Sequence, residues 1–501
     1  MDPVIFFSLI IAIYFVVFFL DCFFKSCMHY PWEQFLTNTG LTINFLRFKW
    51  YTTAFNRTIF KWGSAGNKFL TKWFTCGVLV SLAMLPLAFI ILFMTIFNGH
   101  KGGEAGTGAG GGGSTVSDVK IQILLPGFNL PLEEIGFYVC TLAISTVVHE
   151  LGHALAAVIE DVPLNGFGFQ VYFCIPIAHT DIASEQLNSL RWMKKLRILC
   201  GGIWHNIIFS AFCYLIFSSF GFLITPIYST NQAVFVTEVT AKSPLRGERG
   251  LQANDVITQI NDCNVRDIDS WYDCLIQSLR TKPGYCVSSD FIRLNDESVV
   301  ITHHGSEGVI QCCDAKNYAQ CCYEYIDDLS NDGPIEIPQH VCLNIRLTIE
   351  DSYGFCSGAC DRGFCIRPLL KNTTTILSIK REKKPDVIYM GHPGDVSKSV
   401  RISPFVPKSG IFKPQLADAF TLFLKYNIVF SLGLALVNAL PCFGMDGYHI
   451  SSTIINSFLV NRIAERAKRE TIVLLVTGLG TFLFICAVFK VVWVSLIKNM
   501  F

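Results

Sequence analysis

Six apolar runs constrain this chain more than any other feature. They are Val4–Leu20, Phe74–Phe97, Ile135–Ile159, Ile198–Ile227, Leu416–Leu440 and Ile472–Leu496. Each is close to the roughly 20 residues that a helix needs to cross a bilayer. A chain whose 501 residues are 51% hydrophobic and only 16% charged has the composition of a multi-span membrane protein. No water reaches the backbone at that depth, so such runs must be helical. The reading is a polytopic α-helical membrane protein with about six spans, divided at 1–98, 99–120, 121–228, 229–412 and 413–501. The first run lacks the basic flank and small-residue cleavage site of a signal peptide and reads as a retained span.

Charge bias orients the spans. Between Lys25 and Lys72 lie seven Lys or Arg residues against Glu33 alone, which puts that loop in the cytosol and the N-terminus in the lumen. Arg191, Lys194, Lys195 and Arg197 mark the cytosolic side again. The polar stretch 229–412 then falls in the lumen. Residues 99–120 are a glycine-rich flexible linker, and Ile121–Pro131 reads as an interfacial segment. The net charge of +1 and the lack of a concentrated basic surface argue against a nucleic-acid partner.

The third run carries His149-Glu150-Leu151-Gly152-His153. On a helix the two histidines are i and i+4, so both imidazoles leave one face about a turn apart. That spacing lets two neutral ring nitrogens hold one Zn²⁺, with Glu150 placed to take a proton from water. No charged residue precedes Glu150 back to Ile135. A carboxylate in such a run is costly unless paired or metal-linked, so it marks a functional site. Two histidines leave zinc short of a ligand. Asp446 is the strongest candidate, because it closes a Pro/Gly-interrupted stretch at the end of an apolar span. Taken alone it would read as a turn residue before Gly447. Trp204, His205 and Asn206 either line the site or serve helix–helix hydrogen bonds, the second reading being favoured for His205.

Leu164–Phe173 is too short to span and rich in aromatic residues and glycine, which suggests a β-hairpin at membrane depth or a packed loop. An exposed edge there could receive a substrate by strand addition. In the polar stretch, Val234–Val239 and Asp255–Asn261 alternate like strands and Ser270–Leu279 reads as a short helix. The stretch G-L-x-x-N-D-V-I-x-x-I-N resembles a PDZ-like α/β domain, here without an intact carboxylate-binding loop. Cys286–Cys365 looks like an insertion into it. Eleven cysteines fall between Cys263 and Cys365 without a zinc-ribbon spacing, so disulfides in an oxidising compartment are expected, with at least one thiol left over. Asn372-Thr373-Thr374 is a glycosylation sequon consistent with a lumenal position.

Four segments carry a resemblance. H-E-L-G-H at 149–153, N-G-F-G at 165–168, G-I-W-H-N at 202–206 and N-A-L-P-C-F-G-M-D-G at 438–447 resemble the site-2 protease family of intramembrane zinc metalloproteases. The cysteine-rich region and extra N-terminal spans resemble its animal members. The resemblance implies that His149, His153 and Asp446 bind zinc and that Glu150 is the general base. Asn438 would donate to the developing oxyanion, or else support the Pro441 turn. It implies substrates that are transmembrane segments of membrane-anchored transcription factors, of the sterol regulatory element-binding protein and stress-response types. A first lumenal cleavage would precede this one, in the Golgi or endoplasmic reticulum membrane. The rival readings are a prenyl-protein-type membrane zinc protease, a zinc transporter, and a PDZ-like scaffold without protease activity. The first wants a Glu as third ligand, the second repeated halves, and the third has no need of Glu150 in an apolar helix.

Overall fold

The computed structural model describes residues 3–65, 67–97, 131–173, 175–247, 249–299, 312–314, 319–326, 340–370 and 373–500. The linker at 99–120, the apolar stretch 121–130 and Asn372 of the sequon lie outside them. The chain forms two compact units, residues 1–218 with 422–501, and residues 219–421.

The first unit begins with α1 (Pro3–Cys27), α2 (His29–Thr39), β1 (Leu41–Asn44), β2 (Arg47–Thr52), α3 (Asn56–Ala65) and α4 (Asn67–Phe97). It continues with α5 (Ile135–Ile159), β3 (Leu164–Tyr172), β4 (Ile175–Ile182), α6 (Ser184–Ser189), α7 (Trp192–Leu199) and α8 (Gly201–Leu223). The second unit holds β5 (Tyr228–Ser229), β6 (Val234–Val239), β7 (Val256–Ile260), β8 (Cys263–Asn264), α9 (Ile268–Arg280), β9 (Gly284–Val287) and α10 (Ser289–Asn295). Then come β10 (Gln320–Tyr325), β11 (His340–Asn344), α11 (Ile345–Asp351), β12 (Phe355–Cys356), β13 (Phe364–Pro368), β14 (Thr375–Arg381) and β15 (Lys384–Gly391). After α12 (Pro393–Ser399), β16 (Val400–Ser403) and β17 (Val406–Pro407), α13 (Pro414–Ala439) leads back to the first unit, completed by α14 (Asp446–Phe458) and α15 (Arg466–Met500).

Among the described residues six helices are long and apolar enough to cross a membrane: Phe7–Cys27, Lys68–Phe97, Leu132–Ile159, Gly201–Leu223, Pro414–Ala439 and Arg466–Val494. These are the six apolar runs of the sequence. Ala156 and Ala157 make α5 slim where Phe74, Ile198 and Trp204 pack, and Ala154 does the same toward Ile59 of α3. At its end Glu160 is buried and pinned by Arg197 at 2.6 Å and Lys194 at 3.2 Å, which ties α7 to α5. Part of the basic cluster at 191–197 thus belongs to an ion-paired helix.

The basic segment 25–72 is not an open loop. It folds as α2, β1, β2 and α3, and its two strands join the hairpin after α5 in an antiparallel sheet ordered β1-β2-β3-β4. The alternation Arg47-Phe48-Lys49-Trp50 was a strand signal hidden beneath its charges. Pairing β2 with β3 requires the chain to return to the same side after α4 and α5. The span α1 leans on this sheet: Tyr14 stacks on Phe48 at 4.5 Å and donates to the Val171 carbonyl at 3.1 Å.

The second unit contains an antiparallel sheet ordered β15-β14-β7-β6-β16, with β8 added to β7. Its core is Val234, Val236, Leu251, Ile257, Trp271, Leu275, Leu377, Ile379 and Val396. β6, β7 and α9 match the elements expected there, and a capping box between Asp267 and Ser270 starts α9. The cysteine-rich part builds a second sheet, β11-β10-β13-β9-β12, around Tyr285, Val287, Tyr323, Val341 and Ile366. Five disulfides join Cys263–Cys274, Cys286–Cys360, Cys312–Cys322, Cys313–Cys342 and Cys356–Cys365, and Cys321 stays a buried thiol.

Candidate metal centre

His149 and His153 lie one turn apart on α5 and present their rings to one point. Asp446 reaches the same point from α14, of which it is the first residue. It therefore belongs to a separate helix after the span, where the N-terminal end of the helix dipole favours a carboxylate. Nε2 of His149 lies 2.9 Å from Asp446 Oδ2. Nε2 of His153 lies 3.1 Å from the same oxygen and 3.1 Å from Nε2 of His149. Both histidines are buried and Asp446 partly so. Gly447 makes the turn into α14 possible, because a Cβ there would stand 2.1 Å from the Leu440 carbonyl oxygen.

Each imidazole is also held from behind. Nδ1 of His153 lies 2.8 Å from the carbonyl oxygen of Ile198. A carbonyl only accepts, so Nδ1 carries a proton, and in the neutral ring the Nε2 lone pair faces Asp446 and His149. Nδ1 of His149 lies 3.2 Å from the side-chain amide of Asn206, which is fully buried and whose Oδ1 has no partner among the described residues. Amide nitrogen and oxygen are alike in shape. Turned over, Asn206 offers that spare oxygen to an Nδ1 proton and leaves Nε2 of His149 as a second free lone pair.

These residues fit a metal ion. Two imidazole nitrogens and a carboxylate oxygen are a zinc donor set. Tetrahedral bonds of about 2.0–2.1 Å place ligand atoms about 3.3 Å apart, close to the separations seen. The space beside them is kept open by a glycine: a Cβ on Gly202 would lie 2.5 Å from His153 Nε2 and 2.6 Å from His149 Nε2. The helices can come this close because Gly152 and Gly201 meet backbone to backbone. A Cβ on Gly152 would stand 2.2 Å from the Gly201 oxygen, and one on Gly201 2.6 Å from the Gly152 oxygen.

Glu150 leaves α5 about 100° around from His149. Its Oε2 accepts a 2.7 Å hydrogen bond from the backbone N–H of Thr180 on β4. Asn438 is the penultimate residue of α13 and half-buried; among the described residues no hydrogen bond ties its side chain to the converging groups. His205 turns back on its own helix, 3.0 Å from the Gly201 carbonyl, and stacks on Phe74. Trp204 packs edge-on against Trp73. Sequence reasoning did not find the parts played by Gly202, Gly152, Gly201 and Thr180. It left Asn206 undivided between two roles.

The profile of peptidase family M50 matches residues 137–484, from the first turn of α5 into α15. The chain belongs to peptidase family M50. A protein of Arabidopsis thaliana described as a membrane-bound transcription factor site-2 protease homolog is 25% identical over 488 residues. That match covers 87% of this chain and 90% of the relative. Profile and relative together support a site-2 protease, a multi-pass intramembrane protease of a metallopeptidase family.

Proposed function

We propose that this M50 peptidase is a zinc-dependent endopeptidase that hydrolyses a peptide bond within the transmembrane helix of its substrate. The observation that carries the proposal is the meeting of His149, His153 and Asp446 within about one zinc coordination sphere, on helices that are or adjoin apolar spans. A zinc ion supplies Lewis-acid polarisation of the scissile carbonyl and makes water acidic enough to be deprotonated near neutral pH. The two imidazoles and Asp446 hold the ion, and the proton-bearing Nδ1 atoms keep the ring nitrogens aimed at it. Glu150 accepts the proton of the attacking water and delivers it to the leaving amine. Asn438 donates to the developing oxyanion, a contribution worth about 3 kcal/mol in other systems. Beyond the Thr180 N–H that Glu150 takes, the free edge of β4 receives the unwound substrate as an added strand.

In this reading the substrates are membrane-anchored transcription factors of the sterol regulatory and stress-response types, cut after a first lumenal cleavage. The enzyme would act in the Golgi or endoplasmic reticulum membrane. The unit of residues 219–421, whose disulfides suit an oxidising lumen, is a PDZ-like filter against substrates that still carry a bulky ectodomain. Deleting 234–411 should then abolish the dependence on prior cleavage.

The central test combines metal analysis with cleavage of a reporter transmembrane helix by the purified, reconstituted protein. Glu150→Gln should keep zinc and lose proteolysis, whereas His149→Ala and Asp446→Ala should lose both. A chelator should abolish wild-type cleavage. Full zinc content and activity in Asp446→Ala would remove it as a ligand.

A further inference from the structure

The segment N-G-F-G at 165–168 has no part in holding the metal, yet every residue in it is used. It lies on β3, beside β4, and Thr180 of β4 grips Glu150 at two points. The Thr180 N–H donates to Glu150 Oε2 at 2.7 Å, and its hydroxyl donates to the Glu150 carbonyl at 3.0 Å. Among the described residues β4 is an edge strand that pairs with β3 alone, where Thr180 stands opposite Phe167. The N–H that meets Glu150 is therefore one the sheet leaves free.

The residues on either side of Thr180 are anchored on the opposite face of the sheet. Asp181 accepts from the Tyr51 hydroxyl and from Asn165 Nδ2, both at 3.2 Å. His179 lies 3.2 Å from Gln170, which in turn accepts from Arg47 at 2.7 Å. The two glycines make room for these rings. A Cβ on Gly166 would stand 2.6 Å from the Tyr51 hydroxyl, and one on Gly168 2.0 Å from the His179 ring. Tyr51 and Arg47 come from β2, so the N-terminal strand pair braces the β4 segment that touches Glu150.

We infer that Thr180 is a positioning residue for Glu150, held in register by Asn165, Gly166, Gly168 and the strand pair 41–52. The inference rests on the proposed role of Glu150 as base. With Oε2 engaged by a backbone donor, the carboxylate has one fixed orientation and its second oxygen is left to take the proton. A base that loses such an anchor samples other rotamers, and misplacement by about 1 Å can cost roughly a hundredfold in rate.

Two measurements on the full chain test this. The first uses Thr180→Pro, which deletes the N–H at an edge position where proline does not interrupt the ladder, beside Thr180→Val, which keeps it. Thr180→Pro should lower kcat for a reporter transmembrane helix about 10–100-fold with KM and bound zinc unchanged, while Thr180→Val stays within a few fold of wild type. Wild-type kcat in Thr180→Pro, or an effect confined to KM, overturns the inference. The second needs no activity and no proline. In hydrogen exchange, the Thr180 amide should be protected in wild type and in Glu150→Gln, but exchange faster in Glu150→Ala while flanking amides bonded to β3 stay protected. Equal exchange in all three proteins overturns the Thr180–Glu150 contact. A wild-type chain that holds no zinc and cuts nothing fails the proposed function instead, and leaves the exchange result standing.

Discussion

Gly202→Ala adds one methyl group at the centre of the site. Its Cβ would stand 2.5 Å from His153 Nε2 and 2.6 Å from His149 Nε2, where ordinary van der Waals contact begins at 3.4 Å. Each donor nitrogen must therefore retreat by about 0.8–0.9 Å. Zinc sites tolerate shifts of only about 0.2 Å in ligand distance, so the retreat and the bound ion exclude each other. The rings cannot simply swing away. His153 is tethered to the Ile198 carbonyl and His149 to Asn206, both inside a packed core. The fold has more latitude. Overpacking costs about 1–3 kcal/mol, partly offset by the roughly 1 kcal/mol by which a helix prefers alanine to glycine. The expected outcome is a folded protein whose zinc affinity falls at least about a hundredfold, or about 2.7 kcal/mol, with proteolysis lost in proportion. Chelator competition measures the affinity, and thermal unfolding of the same samples measures the fold. Gly221→Ala is the control, since it lies on the same helix with nothing within 4 Å of the added Cβ. Wild-type zinc affinity in folded Gly202→Ala would refute the placement of the ion beside this glycine.

Asn206→Leu removes the only side-chain partner of His149 Nδ1 among the described residues and should weaken zinc binding about 10–100-fold. Asn206→Asp supplies an acceptor and should retain most of the affinity; cobalt substitution reads the same difference as a changed ligand-field spectrum. In the second unit, Asp255 has no exposed side-chain surface and binds Arg381 at 2.9 Å and Lys384 at 2.6 Å. Burial alone would raise its pKa, but Lys384, the Gln252 N–H and Arg381 together hold it below the ordinary carboxylate range. A depressed folded-state pKa gives stability that is present above the unfolded value of about 3.9 and lost as pH falls through the folded one. Asp255→Ala, which leaves Arg381 only the Gly250 and Pro385 carbonyls as acceptors, should cost about 1.5–3 kcal/mol and flatten the acid side of the unfolding profile. An acid limb unchanged from wild type would show that this cluster does not carry the dependence.

What the sequence made legible was whatever repeats with the period of its own element. The six spans were visible because a membrane helix must be apolar all round, and the histidine pair because i and i+4 share a face. Asp446 was visible as a carboxylate in a Pro/Gly-broken stretch beside a span. β6, β7 and α9 followed from alternation and capping. Other features depend on partners that local pattern does not reveal. Gly202 acts by having no side chain, which is a signal only once two imidazoles are found against it. Thr180 lies 30 residues from Glu150 and meets it because the hairpin folds back along α5. Disulfide pairing was closed to inspection for a similar reason: Cys286 and Cys365 face each other across β9 and β13, yet Cys286 bonds Cys360 in the loop before β13 and Cys365 bonds Cys356 of β12.

Neighbouring positions on α5 point to different walls, and this explains why so much of the first unit is needed around five residues. His149 and His153 look toward α8 and α14, where Gly202 leaves room, Asn206 backs one imidazole and Asp446 brings a carboxylate to the same point. Glu150, a third of a turn away, looks toward β4. A short motif fixes the angle between the imidazoles and the carboxylate, but neither the imidazoles nor Glu150 are held by α5 alone. The helical wall must come close enough to fill a coordination sphere, which the Gly152–Gly201 crossing allows. The sheet wall must present one free N–H at the right height, which an edge strand can do and a central strand cannot. The strand pair at 41–52 stiffens that edge from the far side of the sheet without covering it. The segment between α1 and α4, which in sequence looks like a charged connector, thus reaches the residues flanking Thr180 through Arg47 and Tyr51 of β2.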